Sequence, residues 1–100
     1  MSSIEQRVEE FKEDLEFFED ELQKYDFIID LGKKLEPLDD EYKTPDNLVH
    51  GCTSQVWLVA EKKDDRVYFY GTSDAIIVKG LVYMILKIFS GSTIQELKDV

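Results

Sequence analysis

The sequence has a single cysteine and a single histidine. One cysteine rules out an internal disulfide, and with one histidine it falls short of the four protein ligands of a structural zinc site. Basic residues are scarce as well: 12 Lys and Arg stand against 22 Asp and Glu, for a formal charge of -10. With no basic cluster, nothing is present to neutralise phosphates, which argues against nucleic-acid binding, and an anionic membrane surface would repel the chain. Long apolar runs are missing. Met1 to Glu10 lacks the apolar core of a signal peptide, and Leu81 to Phe89 is far shorter than a membrane span and carries Lys87. A cytoplasmic location is expected.

What is present suffices for a fold. A hydrophobic share of 43% with 12% aromatics is ordinary for a soluble domain, and 100 residues fit a single domain spanning 1–100. The charge is uneven: residues 1–46 hold 16 acidic and 6 basic side chains, whereas residues 47–100 hold 6 of each. An acidic block of this kind is either a solvated helical face or a means of steering a basic partner.

Ser2 and Ser3 stand three residues before Glu5 and Gln6, the spacing of a capping box. Ile4, Val8, Phe11, Leu15, Phe18, Leu22, Tyr25 and Ile29 then recur every three or four residues, so an amphipathic helical region is expected to run to about Leu35. The acidic run Glu19 to Glu21 offers a second helix start, which favours two helices in a hairpin. Pro37 stops the helix, and Leu38 to Asn47 has the composition of a connecting loop.

Val56 to Val59 and Val67 to Tyr70 are β-prone runs separated by the charged stretch Glu61 to Arg66, as in an antiparallel hairpin. Leu48 and Val49 are expected to add a short strand before it, placing Gly51, Cys52 and Thr53 at the intervening turn. Thr72, Ser73 and Asp74 supply cap chemistry for a helix from Ala75 to Phe89, and Gly80 inside it suggests close packing. Thr93 and Glu96 have capping-box spacing for a short last helix.

Cys52 is either filling or chemistry. Free cysteines are often buried as small hydrophobes. The small and polar neighbours Gly51, Thr53, Ser54 and Gln55 point instead to an exposed thiol on a turn. Such a thiol is nucleophilic enough to attack the outer sulfur of a persulfide without a dedicated base. His50 is close enough in sequence to assist, and Ser54 and Gln55 either bond the sulfur or shape the turn.

The segments G-C-T-S-Q-V-W at Gly51 to Trp57 and G-T-S-D-A-I-I-V-K-G-L at Gly71 to Leu81 closely resemble the SufE family of sulfur acceptors, and I-I-D-L-G-K-K-L at Ile28 to Leu35 adds to the likeness. The resemblance implies an α/β (α+β) fold, with a small antiparallel three-stranded sheet packed by helices, like NifU-type and IscU-type scaffolds. It makes Cys52 the persulfide acceptor, with a SufS-type cysteine desulfurase as donor and an iron–sulfur scaffold complex as a downstream partner. Pyridoxal phosphate belongs to that desulfurase, so this chain needs no cofactor or metal of its own. Ser73, Asp74 and Lys79 fall in the second motif, as residues that stabilise the sulfur, meet the partner or do no more than cap and solvate a helix. Typical members continue past the position of Val100 with further helices, and the resemblance therefore implies a domain without that carboxy-terminal region, as a monomer or weak homodimer.

The resulting expectation is a carrier that stimulates its desulfurase and has no turnover of its own. The competing reading is a non-catalytic acidic interaction module in which Cys52 is incidental. A thiol hydrolase lacks a positioned base beyond His50, and a cluster scaffold lacks the several cysteines that ligation draws on.

Overall fold

A computed structural model describes residues 3–51 and 53–100. Helix α1 spans Ser3–Glu16 and α2 spans Glu21–Lys33. Two short 3-10 turns follow, Asp40–Tyr42 and Pro45–Asn47, and then strands β1 (Val56–Lys63) and β2 (Arg66–Ser73). Helix α3 (Ile76–Phe89), strand β3 (Ser92–Thr93) and helix α4 (Ile94–Lys98) complete the order. The fold is α+β, a three-stranded antiparallel sheet in the order β1-β2-β3 with four helices among the described residues.

The amino-terminal helical region does break in two. Asp20 is the N-cap of α2, its carboxylate accepting from the Leu22 N–H at 2.8 Å. Such a cap satisfies one of the orphan amides of a first turn while its charge complements the helix dipole. Ser3 already lies inside α1, so it is not a flanking cap, and Ser2 lies outside the described residues. The helix ends at Lys33, two residues short of the expected Leu35.

The hairpin is longer and tighter than the charged stretch suggested. Val56 pairs with Ser73 and the ladder runs without a break to Lys63 opposite Arg66. Only Asp64 and Asp65 remain for the turn, with Asp64 at φ 57, in the left-handed region that aspartate tolerates better than most residues. Charge had marked Glu61 to Arg66 as loop, but backbone pairing decides the matter, because an edge strand can hold its charged side chains in water.

The third strand is not where the sequence placed it. Leu48 makes one isolated bridge to Trp57 and no strand. Instead Ser92 and Thr93 pair with Val67 and Arg66 on the far side of β2. The Ser90 hydroxyl prolongs that edge by accepting from the Phe69 N–H at 2.9 Å, and the Gly91 N–H donates to the Val67 carbonyl at 2.8 Å. Ser90 to Thr93 are polar and carry no strand pattern, yet their hydroxyls and amides are what β2 needs on its second side.

Helix α3 lies on β2 and is crossed by α2. A Cβ on Gly80 would run into the Ile28 carbonyl oxygen and come within 2.6 Å of the Ile28 Cγ2, while one on Gly32 would stand 2.8 Å from the Gly80 nitrogen. The two backbones thus touch at paired glycines, the close packing that Gly80 suggested. Helix α1 reaches the other end of α3, where Arg7 Nη1 donates to the Ile88 carbonyl at 2.9 Å and satisfies one of the final carbonyls of that helix. Ile4, Leu31, Val56 and Val82 are the buried apolar residues of the described chain, which is a thin core for 100 residues.

The last helix carries the expected capping box. Thr93 Oγ1 accepts from the Glu96 N–H at 3.1 Å, and the Glu96 carboxylate accepts from the Thr93 N–H at 3.0 Å. The Thr93 backbone N–H, then the Thr93 hydroxyl, with Arg66 and Arg7 at longer range, hold the Glu96 carboxyl below its ordinary pKa against a small desolvation.

Two outcomes follow. Gly80→Ala should destabilise the fold by about 3 kcal/mol or more, because an overpacked core contact against backbone has no side chain to move aside. Urea unfolding measures it, and a loss under about 1 kcal/mol would show that the helices separate freely. Glu96, with a lowered folded pKa, contributes stability that is fully present above the unfolded value and is lost as pH falls through the folded one. The Glu96 carboxyl carbon, followed by NMR in an acid titration, should have its midpoint below 4.5 and move upward in Thr93→Val.

Candidate functional site

The segment between the Leu48 bridge and β1 is short and held at both roots. On the incoming side Leu48 faces Trp57, and the Val49 N–H donates to the Val56 carbonyl at 2.8 Å. On the outgoing side three bonds meet at Gln55. Its N–H donates to Asp74 Oδ1 at 3.1 Å, its carbonyl accepts from the Ser73 hydroxyl at 2.7 Å, and the same carbonyl accepts from the Asp74 N–H at 3.3 Å. The described residues on either side of position 52 are therefore held at both roots against the same sheet corner.

Cys52 lies outside the described residues. Its neighbours do not. Gly51 is exposed at φ 88, where a side chain would be strained although nothing lies within 4 Å of the place its Cβ would take. The glycine is thus required by backbone angle and not by crowding. Thr53 is exposed and Ser54 is half-buried. His50 sits exposed in the turn and hydrogen-bonds to no other described residue.

Ser73 and Asp74 do come to this loop, but not as helix caps. Thr72 and Ser73 are still in β2, and the N-cap of α3 is Ala75, which no side chain caps. Ser73 is 3% exposed. Its hydroxyl both donates to Gln55 and accepts from the Ala75 N–H at 3.3 Å, so one buried oxygen joins loop, strand and helix start. Asp74 spends its carboxylate on the Gln55 amide. Nineteen residues separate the two, and no local pattern could have revealed the pairing.

Lys79 is not brought to the loop by any contact among the described residues. It lies one turn into α3, half-buried, with its Cβ turned to Gly32 at the crossing with α2. Gln55 contributes backbone groups to the loop root, which is turn shaping, and its side chain makes no bond to another described residue. Among the described residues no three His, Cys, Asp or Glu side chains gather to hold a metal ion, and no helix is long and apolar enough to cross a membrane.

Residues 9–100 match the SufE family, described as an Fe-S metabolism associated domain. The chain is similar to a SufE-like protein of Rhizobium etli, 41% identical over 97% of this chain and 66% of the relative. It is similar to a SufE-like protein of Rhizobium meliloti at 39% over all of this chain and 71% of the relative. A SufE-like protein of Synechocystis is 40% identical over 81% of this chain and 51% of the relative. The chain thus spans between about half and seven tenths of the length of these relatives.

Replacing Asp74 by alanine removes the acceptor of the Gln55 amide and should free the outgoing root of the loop. An exposed bond of this kind contributes about 1 kcal/mol, so exchange of the Gln55 amide with deuterium should rise roughly fivefold while that of β2 amides stays unchanged. Equal exchange in both proteins would mean that the Ser73 hydroxyl and the backbone N–H of residue 74 suffice to hold the root.

Proposed function

The chain belongs to the SufE family, and from that premise we propose that it accepts sulfur on Cys52 from a cysteine desulfurase and hands it on toward iron–sulfur cluster assembly. Membership in a family tied to Fe-S metabolism fits a partner protein of a desulfurase better than an enzyme. The observation that carries the reading is the loop itself. In the sequence the only cysteine falls between Gly51, exposed and in a left-handed conformation, and the exposed Thr53, and the described chain is tied down before it at Val49 and after it at Gln55.

In this reading the Cys52 thiolate attacks the outer sulfur of the donor's persulfide. A sulfur–sulfur bond forms on Cys52, the donor's own sulfur–sulfur bond breaks, and its electron pair leaves with the donor cysteine as a thiolate. Sulfur changes owner with no net oxidation, so no cofactor is needed on this chain. Pyridoxal phosphate serves the donor of SufS type. An unperturbed thiol with a pKa of about 8.5 is a few per cent thiolate at neutral pH, enough for attack on a persulfide presented at close range.

The remaining residues serve position. Gly51 sets the turn, Ser73 and Asp74 fix the outgoing root through Gln55, and Ser54 and His50, each two residues from Cys52 in sequence, are lesser aids. Lys79 serves α3 or a partner and has no part in the transfer. The 100 residues act as one domain, in the cytoplasm, without nucleic acid or membrane.

Intact mass after incubation with a cysteine desulfurase and free cysteine should show a gain of about 32 Da, one sulfur atom, on the wild type. Cys52→Ser should show none and should no longer stimulate cysteine turnover. A serine variant that gains sulfur or stimulates equally well would overturn the assignment and leave the acidic helices as the means of partner binding.

A further inference from the structure

Away from the loop, a cleft of about 270 Å³ opens between the chain that follows α2 and the middle of β2. Its floor is apolar, with Leu35, Leu38, Phe69, Tyr83 and Leu86 among the lining residues. Lys34 and Lys87 stand on its lining too. Lys12, Lys33, Lys43 and Lys63 lie within ion-pair distance of a carboxylate, whereas Lys24, Lys62, Lys79 and Lys98 do not among the described residues. Lys34 and Lys87 have no such partner among the described residues, and the Lys87 ammonium rests 5.5 Å from the centre of the Tyr83 ring.

Both lysines close a helix, α2 and α3 respectively, where the dipole alone favours a cation. The dipole does not explain an aromatic cleft between them. In a chain with charge -10, a lining that carries two lysines without an ion-pair partner and one acid, Glu36, is locally positive. We propose that this cleft binds a small amphipathic monoanion, an aromatic or short aliphatic body bearing one carboxylate. The apolar part lies on Phe69 and Tyr83, and the carboxylate meets Lys34 and Lys87. Glu36, the one acid of the lining, works against a second negative charge. The volume suits about a dozen non-hydrogen atoms, below the size of drug-like ligands.

The test is a titration of the nitrogen-15-labelled protein with 4-phenylbutyrate, its alcohol 4-phenylbutanol and its amine 4-phenylbutylamine, read by amide shifts. The carboxylate should bind with a low-millimolar constant, as expected of a fragment of this size. Its shifts should gather at Leu35, Phe69 to Gly71 and Tyr83 to Lys87. It should bind about tenfold more tightly than the alcohol, and the difference should shrink with added salt. Lys34→Gln with Lys87→Gln should bring the carboxylate down to the affinity of the alcohol while leaving all other amide positions in place. Equal binding of acid, alcohol and amine would overturn the proposal in favour of a merely apolar patch. Shifts scattered over the surface, or none at about 10 mM ligand, would overturn it outright. So would capture of the cleft by an acidic leucine-containing peptide with phenylbutyrate silent, which would make it a protein-docking surface.

Discussion

The contact between Gly32 and Gly80 sets the geometry from which the rest of the molecule is built. Two helices approach until one backbone meets the other, with the Ile28 carbonyl filling the space a side chain would take on Gly80. Glycine inside a helix costs about 1 kcal/mol relative to alanine, so two of them at one crossing are retained only where proximity returns more. What the proximity achieves is to seat α3 firmly on β2 although the buried apolar side chains are few. The start of α3 and the end of β2 are then fixed together, and Ser73 lies at that joint.

From the joint the constraint passes outward to the cysteine loop. Ser73 is buried and uses its single hydroxyl twice, toward Gln55 and toward Ala75. A buried hydroxyl left without partners would be costly, so the three segments hold one another in place. Asp74 adds a charged bond from the solvent side. The chain entering β1 is therefore anchored at Gln55 to both the end of β2 and the approach to α3.

Much of this was legible in the amino-acid order, and the limits have physical causes. The two amino-terminal helices, the acidic cap at Asp20 and the capping box of Thr93 and Glu96 are local features, and local spacing revealed them. Gly80 announced a close approach but could not name Ile28 as its partner, since the two lie 52 positions apart in the chain. The third strand was misplaced because Leu48 and Val49 look like a strand while Ser92 and Thr93 do not. Sheet membership there depends on which residues β2 finds beside it, and two polar residues suffice for two rungs. Ser73 and Asp74 were recognised as cap chemistry, yet the return of the chain at Gln55 decides their partners: the Ser73 hydroxyl donates to the Gln55 carbonyl and the Asp74 carboxylate accepts from the Gln55 N–H.

Strand β1 borders the sheet, and beyond the bridge at Trp57 its outer side meets no other strand among the described residues. An unpaired row of amides and carbonyls is a template on which copies of a protein can polymerise. Here the exposed far end reads Glu61, Lys62, Lys63, so another strand laid alongside would have to bring its own neighbours against ionised groups. The same charges that made the segment look like a turn thus disfavour the addition of a further strand along that border.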